Sequence, residues 1–366
     1  MSSEMLRRRC WSGVAVVVMA VAWGARGVAA GLPEAPYRAT VYGPVTGEIH
    51  GVWDIQEGRL IGSRAAGGSM VAGIWTLPDH FAALLSPNGM PNTQGILAVG
   101  GTVVGMGYRG DVGRVPGRRG VLLIWSDPHR PPVEVVSGAT MIRPEDACGD
   151  QIVGYADPPQ PEAARPFLYA QGKFIDLTPP KSTYAAVFAT DGKHQFGGVD
   201  YRRDLSKPDP VTGGGERAVM WNGSPTGLVD LTPSPKDSAV IRAARGNLQV
   251  GDVNARAAMW HGTAASYVNM GPAGYDRSSV FATNGAASVG VVYVARPGSS
   301  DASHGVLWKD GMAYDLHGLL PTGYVSSSPM RIDERGNILG RASNGKQDVT
   351  VVWSPLAAVT QGEEKK

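Results

Sequence analysis

The chain has 366 residues, of which 43% are hydrophobic, and a formal charge of +2, so it is long enough to bury a large core. Residues 1–30 carry four Arg and one Glu, which takes the remainder from +2 to −1; a surface so near neutrality gives nucleic acid or anionic membrane no electrostatic hold. Fifty Gly, 27 Pro and no long segment of 3.6-residue period exclude a mainly helical fold. In chain order, Arg7, Arg8 and Arg9 precede an apolar stretch from Val14 to Trp23, and Val28-Ala29-Ala30 supplies the small residues read by a signal peptidase. This reads as an export signal cleaved after Ala30, with a core shorter than the roughly 20 residues that span a bilayer. The expected location is periplasmic or secreted, with no stable membrane insertion after cleavage. Arg8-Arg9 leaves the general and twin-arginine export routes both open. Cys10 leaves with the signal, so Cys148 is expected to stand alone, without an intramolecular disulfide.

Beyond residue 30 the chain repeats. Gly62, Gly105, Gly154, Gly197, Gly251, Gly290 and Gly340 each end an apolar run, and Trp75, Trp125, Tyr169, Trp221, Trp260, Trp308 and Trp353 each end the next. From each aromatic to the following glycine the spacing is 30, 29, 28, 30, 30 and 32 residues, while from glycine to aromatic it varies between 9 and 24. A period of roughly 45 to 50 residues belongs to propeller blades. Taking Trp221 to Gly251 as one copy, strands end at Trp221 and Leu231, and others cover Ala239-Val240-Ile241 and Leu248 to Gly251, four short strands to a blade. Turns such as Asp191-Gly192, Asn284-Gly285 and Arg335-Gly336-Asn337 carry the residues that tight hairpins require.

The expected fold is therefore all-β, a seven-bladed β-propeller of four-stranded antiparallel blades spanning 31–358, followed by a disordered polar tail at 359–366. The weaker copies at 75–105 and 125–154 leave six or eight blades open. The last copy stops soon after Trp353, and strands from Tyr37 to Ile61 precede the first aromatic, so N-terminal strands are expected to pair with the C-terminal strand and close the ring. Alternating strand direction puts the Gly turns on one face. The Pro-containing loops and the variable segments after each anchor glycine fall on the other, the side on which repeat proteins usually bind.

Several residues mark that long-loop face. Tyr108, Tyr155, Tyr201 and Tyr293 follow anchor glycines, Tyr184, Tyr275 and Tyr324 occupy its other loops, and Arg109, Arg202, Arg277 and Arg296 lie beside them. Flat amphipathic rings next to planar donors are the composition of recognition surfaces. This makes Tyr108, Arg109, Tyr155, Tyr201, Arg202, Tyr275, Arg277, Tyr293, Arg296 and Tyr324 the candidate ligand-binding residues. The expected partner is a glycan, peptide or envelope protein, bound by a monomer without cofactor or metal. The alternative is a propeller hydrolase or lyase acting on a carbohydrate or lactone, for which Asp111, Asp157, Asp204 and Asp301 would have to converge at the channel mouth. No catalytic motif is present: Gly105-x-Gly107-x-x-Gly110 lacks the helix a dinucleotide site needs, and Gly340-x-x-x-x-Gly345-Lys346 lacks the Ser or Thr of a P-loop. His304 and His317 are expected near the same face, in neighbouring units. Asp176, Asp230, Asn269 and Asp315 recur at one blade position, where each is expected to accept backbone N–H bonds at a strand end.

The segments Phe167-Leu168-Tyr169-x-x-Gly172-x-x-x-Asp176-Leu177 and Val306-Leu307-Trp308-x-x-Gly311-x-x-x-Asp315-Leu316, each followed by a Gly turn and an apolar-apolar-Gly ending, resemble the HAF repeat of bacterial "probable extracellular repeat" proteins. Thr178-Pro179-Pro180 and Thr232-Pro233 replace the Gly-rich stretch of that repeat. The resemblance implies an exported β-propeller-like protein of unassigned activity and brings no catalytic residues.

Overall fold

A computed structural model of the chain describes residues 31–44, 49–77, 80–109, 119–157, 164–201, 215–295 and 302–356. β1 (Tyr37–Pro44) precedes a series of four-stranded sheets. The first sheet is β2 to β5 (Ile49–Gln56, Arg59–Ala66, Ser69–Thr76, His80–Ala83), and the second is β6 to β9 (Thr93–Val99, Thr102–Arg109, Arg119–Trp125, Val133–Val136). The third is β10 to β13 (Met141–Cys148, Gln151–Asp157, Arg165–Ala170, Lys173–Asp176), and the fourth is β14 to β17 (Tyr184–Thr190, Gln195–Asp200, Arg217–Trp221, Val229–Asp230). The fifth is β18 to β21 (Ala239–Arg245, Leu248–Val253, Arg256–Trp260, Val268–Asn269), and the sixth is β22 to β25 (Ser278–Thr283, Ala287–Val294, Ala302–Lys309, Met312–Asp315). The seventh is β26 to β28 (Ser326–Ile332, Ile338–Ser343, Asp348–Pro355), with β1 as its outer strand. First strands of successive sheets touch one another round the whole circuit, β26 against β2 included, so the sheets form a closed ring with first strands on the axis.

Closure comes from the N-terminus. β1 pairs antiparallel with β28 from Tyr37↔Pro355 to Pro44↔Val349, and just upstream Glu34 bridges to Asp315 of the sixth sheet. Only β1 completes the last blade, because β2 and β3 belong to the first. The repeat is also cut differently from the sequence reading. Trp221 to Gly251 covers the last two strands of the fourth sheet and the first two of the fifth. The glycine strand and the next aromatic strand are hydrogen-bonded neighbours within one sheet, whatever the length of loop between them. The break between sheets falls at the Pro-containing loop. Strand direction still alternates along the chain, so the assignment of loops to faces is unchanged.

The anchor glycines have a steric origin. In each sheet the pairing of first and second strand contains a β-bulge just beyond the anchor, as at Ile241/Ala243 opposite Gly251. The bulge drives a carbonyl of the first strand into the space a Cβ would fill: Val240 O at Gly251, Ala186 O at Gly197 and Ser279 O at Gly290 all lie well inside 3.0 Å of that position. No larger residue fits there without moving the strand.

Seven hydrophobic clusters fill the wedges between blades, each spanning two consecutive sheets or the junction of the last with the first. The repeated Trp are their centres, and Trp125, Trp221, Trp260 and Trp353 are fully buried. Burying about 200 Å² of ring at about 25 cal/mol per Å² is worth roughly 5 kcal/mol before entropy is counted. Four Trp also tie blade to blade: the Nε1–H of Trp125, Trp221, Trp308 and Trp353 donates to Leu85, Leu177, Met270 and Leu316 O in the preceding inter-blade loop, at 2.9–3.0 Å. Cys148 is disulfide-bonded, where the sequence reading expected a lone thiol. Among the described residues no helix is long and apolar enough to cross a membrane.

Candidate functional site: the central channel

All seven first strands carry a bulge at an equivalent place. The bulge residues and those that follow are Trp53-Asp54, Ile96-Leu97, Glu145-Asp146, Phe188-Ala189, Arg242-Ala243, Phe281-Ala282 and Met330-Arg331. Charge is thus confined to the first, third, fifth and seventh blades. Near the Gly-turn end, Arg245 Nη1 lies 3.6 Å from Asp146 Oδ2, reaching past the fourth blade, and Arg331 Nη2 donates across the channel to Glu145 O at 3.4 Å. Arg331 Nε also stands 3.9 Å from Asp54 Oδ1. These contacts link the first, third, fifth and seventh blades at that end.

The acids are further held by backbone of the neighbouring blade. Asp54 Oδ2 accepts Ala98 N–H at 2.8 Å and Asp146 Oδ2 accepts Thr190 N–H at 3.0 Å. Burial pushes the Asp54 carboxyl up to about 6, against the pull of Arg331. Burial also raises Glu145, with Arg143 and Arg331 opposing, and Asp146 beside Arg245 raises that guanidinium further. Buried pairs of this kind are weak evidence for stability, but losing one partner costs roughly 3–5 kcal/mol.

Toward the long-loop face the lining changes. Arg143 and Arg341 stand over the Trp53 ring at 5.1 and 5.7 Å from its centre, which brings the third and seventh blades onto a residue of the first. Arg143 Nε is 3.2 Å from Glu145 Oε1, yet it is not aimed to hydrogen-bond there. Tyr155 stands beside Arg143, and burial raises its hydroxyl pKa. Arg242 pairs with Asp252 at 2.7 Å.

The residues singled out from sequence do not form one continuous rim. Tyr108 is buried in the wedge between the second and third blades, with its hydroxyl on Met106 Sδ, and Arg109 pairs with Glu134. Tyr155 joins the channel group. Tyr201 is 46% exposed at the edge of the fourth blade. Arg277 stands over the Tyr293 ring at 4.6 Å, while Tyr275 and Tyr324 are half-buried against the wedges beside the sixth blade. Tyr184 helps to line a separate cleft of about 240 Å³ with Arg165, Thr178 and Ser182. Arg202, Arg296, Asp111, Asp204 and Asp301 lie outside the described residues. Asp157, the remaining carboxylate of the hydrolase set, ends β11, and burial raises its pKa.

His304 on β24 and His317 just after β25 both belong to the sixth blade rather than to neighbouring units, and their rings stack at 3.8 Å with an interplanar angle of 11°. Burial and then His304 lower the His317 pKa to about 4. His317 Nδ1 lies 2.9 Å from Ser327 Oγ, which suggests a nucleophile and base, but Ser327 is buried and accepts Gly305 N–H. Thr93 and Ser278 do the same for Ala72 and Ala257, so this hydroxyl is a repeated blade staple. The Asp series is structural as expected: Asp176, Asp230, Asn269 and Asp315 each accept the N–H two residues on, at 2.7–2.8 Å. Among the described residues no cluster of His, Cys, Asp or Glu is arranged to hold a metal.

Sequence reasoning missed the channel group, although a signal existed. Counted back from the anchor glycines, Asp54, Asp146, Leu97, Ala189, Ala243 and Ala282 all stand eight residues away and Arg331 nine, so two acids and an Arg interrupt an otherwise apolar column.

Ring, wedges and charged channel together define a closed seven-bladed β-propeller. Among solved structures the chain is similar to an acylaminoacyl peptidase in complex with Z-Gly-Gly-Phe-chloromethyl ketone, at 11% identity and a TM-score of 0.50 over 80% of this chain and 49% of that one. It is also similar to the Pyrococcus horikoshii acylaminoacyl peptidase (12% identity, TM-score 0.48, 78% of this chain and 48% of that one). A third likeness is to the β-propeller domain of the Trilobed protease from Pyrococcus furiosus (8% identity, TM-score 0.44, 70% and 78%). The chain spans about half the length of the two acylaminoacyl peptidases, and likeness at this identity concerns the fold. No family model and no curated protein matches the chain.

Proposed function

We propose that this is an exported binding propeller, periplasmic or secreted, that takes its ligand from the long-loop face. The partner class is a glycan, peptide or envelope protein. The observation that carries the reading is the asymmetry of the channel. Near the Gly-turn end Arg245 reaches Asp146 and Arg331 donates to Glu145 O, contacts between non-adjacent blades, while toward the other end Trp53, Arg143 and Arg341 gather on the side from which the long connections leave. Residues 110–118 and 201–216 separate second and third strands there, whereas residues 57–58 and 246–247 suffice at the Gly turns. The export signal at residues 1–30 and the resemblance to the HAF repeat support the location.

The test is a pull-down from envelope extract and a glycan array with the protein and its Tyr201→Ala variant. The exposed Tyr201 ring is expected to contribute, so the variant should recover less of whatever the wild type retains. Equal recovery by the two proteins would count against this face.

A further inference from the structure

We propose that the long-loop end of the third blade is a peptide site, in which β13 is the edge that an extended segment pairs with and the cleft beside it takes one large apolar side chain. The inference deepens the proposed binding role by naming a peptide as the ligand, and it rests on that role.

Two clefts flank β12 at this end. The one of about 240 Å³ lies between the third and fourth blades, where Ser182, Thr183 and Tyr184 line it together with Arg165 and Pro166. The other, of about 290 Å³, lies between the second and third blades and is lined mainly by Ala139, Ala156, Pro166, Phe167, Phe174 and Ile175. Phe174 is half-buried and meets the buried Phe167 edge-on at 5.2 Å, which leaves aromatic surface in the cleft for a ligand to cover. Sites for whole small molecules begin at roughly 300 Å³. A cleft just below that size, with apolar walls, suits a single side chain of a longer chain.

Charge narrows the ligand further. Arg165 Nη1 and Asp176 Oδ2 belong to the same cleft and lie 3.1 Å apart, each side chain about half exposed at 49% and 48%. Together they carry no net charge, so neither an anion nor a cation is favoured. A neutral group that both donates and accepts matches the pair, and each peptide unit supplies one N–H and one C=O.

The strand itself makes the case for a peptide over a glycan. β13 is the outermost strand of its sheet, and among the described residues no strand pairs with its far edge. Such an edge presents a row of unpaired N–H and C=O groups. Phe174, Ile175 and Asp176 belong to this edge strand and also line the cleft, so a segment that pairs along β13 brings its side chains to the cleft. In this mode main-chain bonds supply affinity and pockets supply specificity. A sugar polymer has no matching row of alternating donors and acceptors.

The probes are end-blocked decapeptides of Ser, Thr and Gly with one central Phe, Tyr, Leu or Met, a matched series with Ala at the centre, and neutral oligosaccharides of the cellulose and chitin types. Wild-type protein should bind the large-apolar series at least about tenfold more tightly than the Ala series, because burying one such side chain is worth that factor or more. Bound peptide should slow amide exchange in β13 and at Ser137, Gly138 and Ala139. Ala156→Leu puts a larger side chain on the wall of the cleft and should erase the preference for large apolar residues. Its urea midpoint separates loss of the cleft from loss of the fold, and the exchange map locates the peptide in the unaltered protein whatever that variant does. Equal binding of the two peptide series, no binding of either, protection away from β13, or an undiminished preference in folded Ala156→Leu would overturn the proposal. Tighter binding of an oligosaccharide at the same residues would overturn the peptide assignment. Tyr201 lines neither cleft, so Tyr201-dependent capture from envelope extract while the peptides fail would leave the binding role standing and this inference fallen.

Discussion

Trp221 and Trp260 occupy the same strand position in adjacent blades, and both are fully buried. They differ at the indole N–H. Trp221 Nε1 donates to Leu177 O at 3.0 Å, whereas Trp260 Nε1 has no acceptor. Replacing either by Phe removes the same ring atoms, so the loss of packing is common to both variants. The polar terms have opposite sign. Trp221→Phe strands a buried carbonyl, at about 1–3 kcal/mol, while Trp260→Phe deletes an unpaired N–H that already imposed a penalty of that order. Trp221→Phe should therefore be the more destabilising by at least about 2 kcal/mol. Equilibrium urea unfolding followed by far-UV circular dichroism reads this as a lower midpoint at unchanged slope. Equal midpoints, or a lower one for Trp260→Phe, would refute the view that indole-to-carbonyl bonds tie the blades together.

Other substitutions probe the remaining parts of the account. Gly251→Ala places a Cβ against Val240 O and Ile241 Cα and should cost about 1–3 kcal/mol, measured by thermal melting. Asp230→Asn keeps an oxygen for Thr232 N–H and should melt close to wild type, as Asn269 manages in the next blade. Asp230→Ala should lose about 1 kcal/mol, since the exposed Arg217 pair adds little. Asp54 is an acid whose folded-state pKa of about 6 lies above its ordinary 3.8. Its stabilising contribution is therefore full below that ordinary value and is lost as pH rises through about 6, a swing of roughly 3 kcal/mol. His317, lowered to about 4, acts in the opposite sense: its contribution is full above pH 6.5 and is lost as pH falls through about 4. Asp54→Asn should therefore make stability climb more steeply with pH between 4 and 6 than in wild type. Parallel unfolding curves for the two proteins would contradict the buried carboxylate.

Much of the fold was legible because the landmarks have local causes. The anchor glycines mark the bulge contact, the Trp mark the wedges, and Asp230 or Asn269 marks a strand end; each recurs at a fixed distance from its neighbours in sequence. Blade boundaries were not legible. Consecutive antiparallel strands alternate in the same way whether they share a sheet or not, and the loop between Gly197 and Trp221 is longer than the inter-blade loop before Ala239 although it joins hydrogen-bonded strands. The channel was hidden for a related reason. Asp146 meets Arg245 and Asp54 meets Arg331 only after the ring has closed, so no spacing along the chain announces either pair. Tyr108 shows the limit of composition, since its place on a long-loop strand says nothing of the wedge that buries it.

Hydrogen–deuterium exchange of the protein with and without its captured ligand tests the central claim most directly. Protection should appear in β27, around Trp53 and Arg143, and in the connections of the long-loop face. Protection confined to the opposite turns at Gly58, Gly149, Gly246 and Gly336 would show that the ligand uses the Gly-turn end of the ring instead.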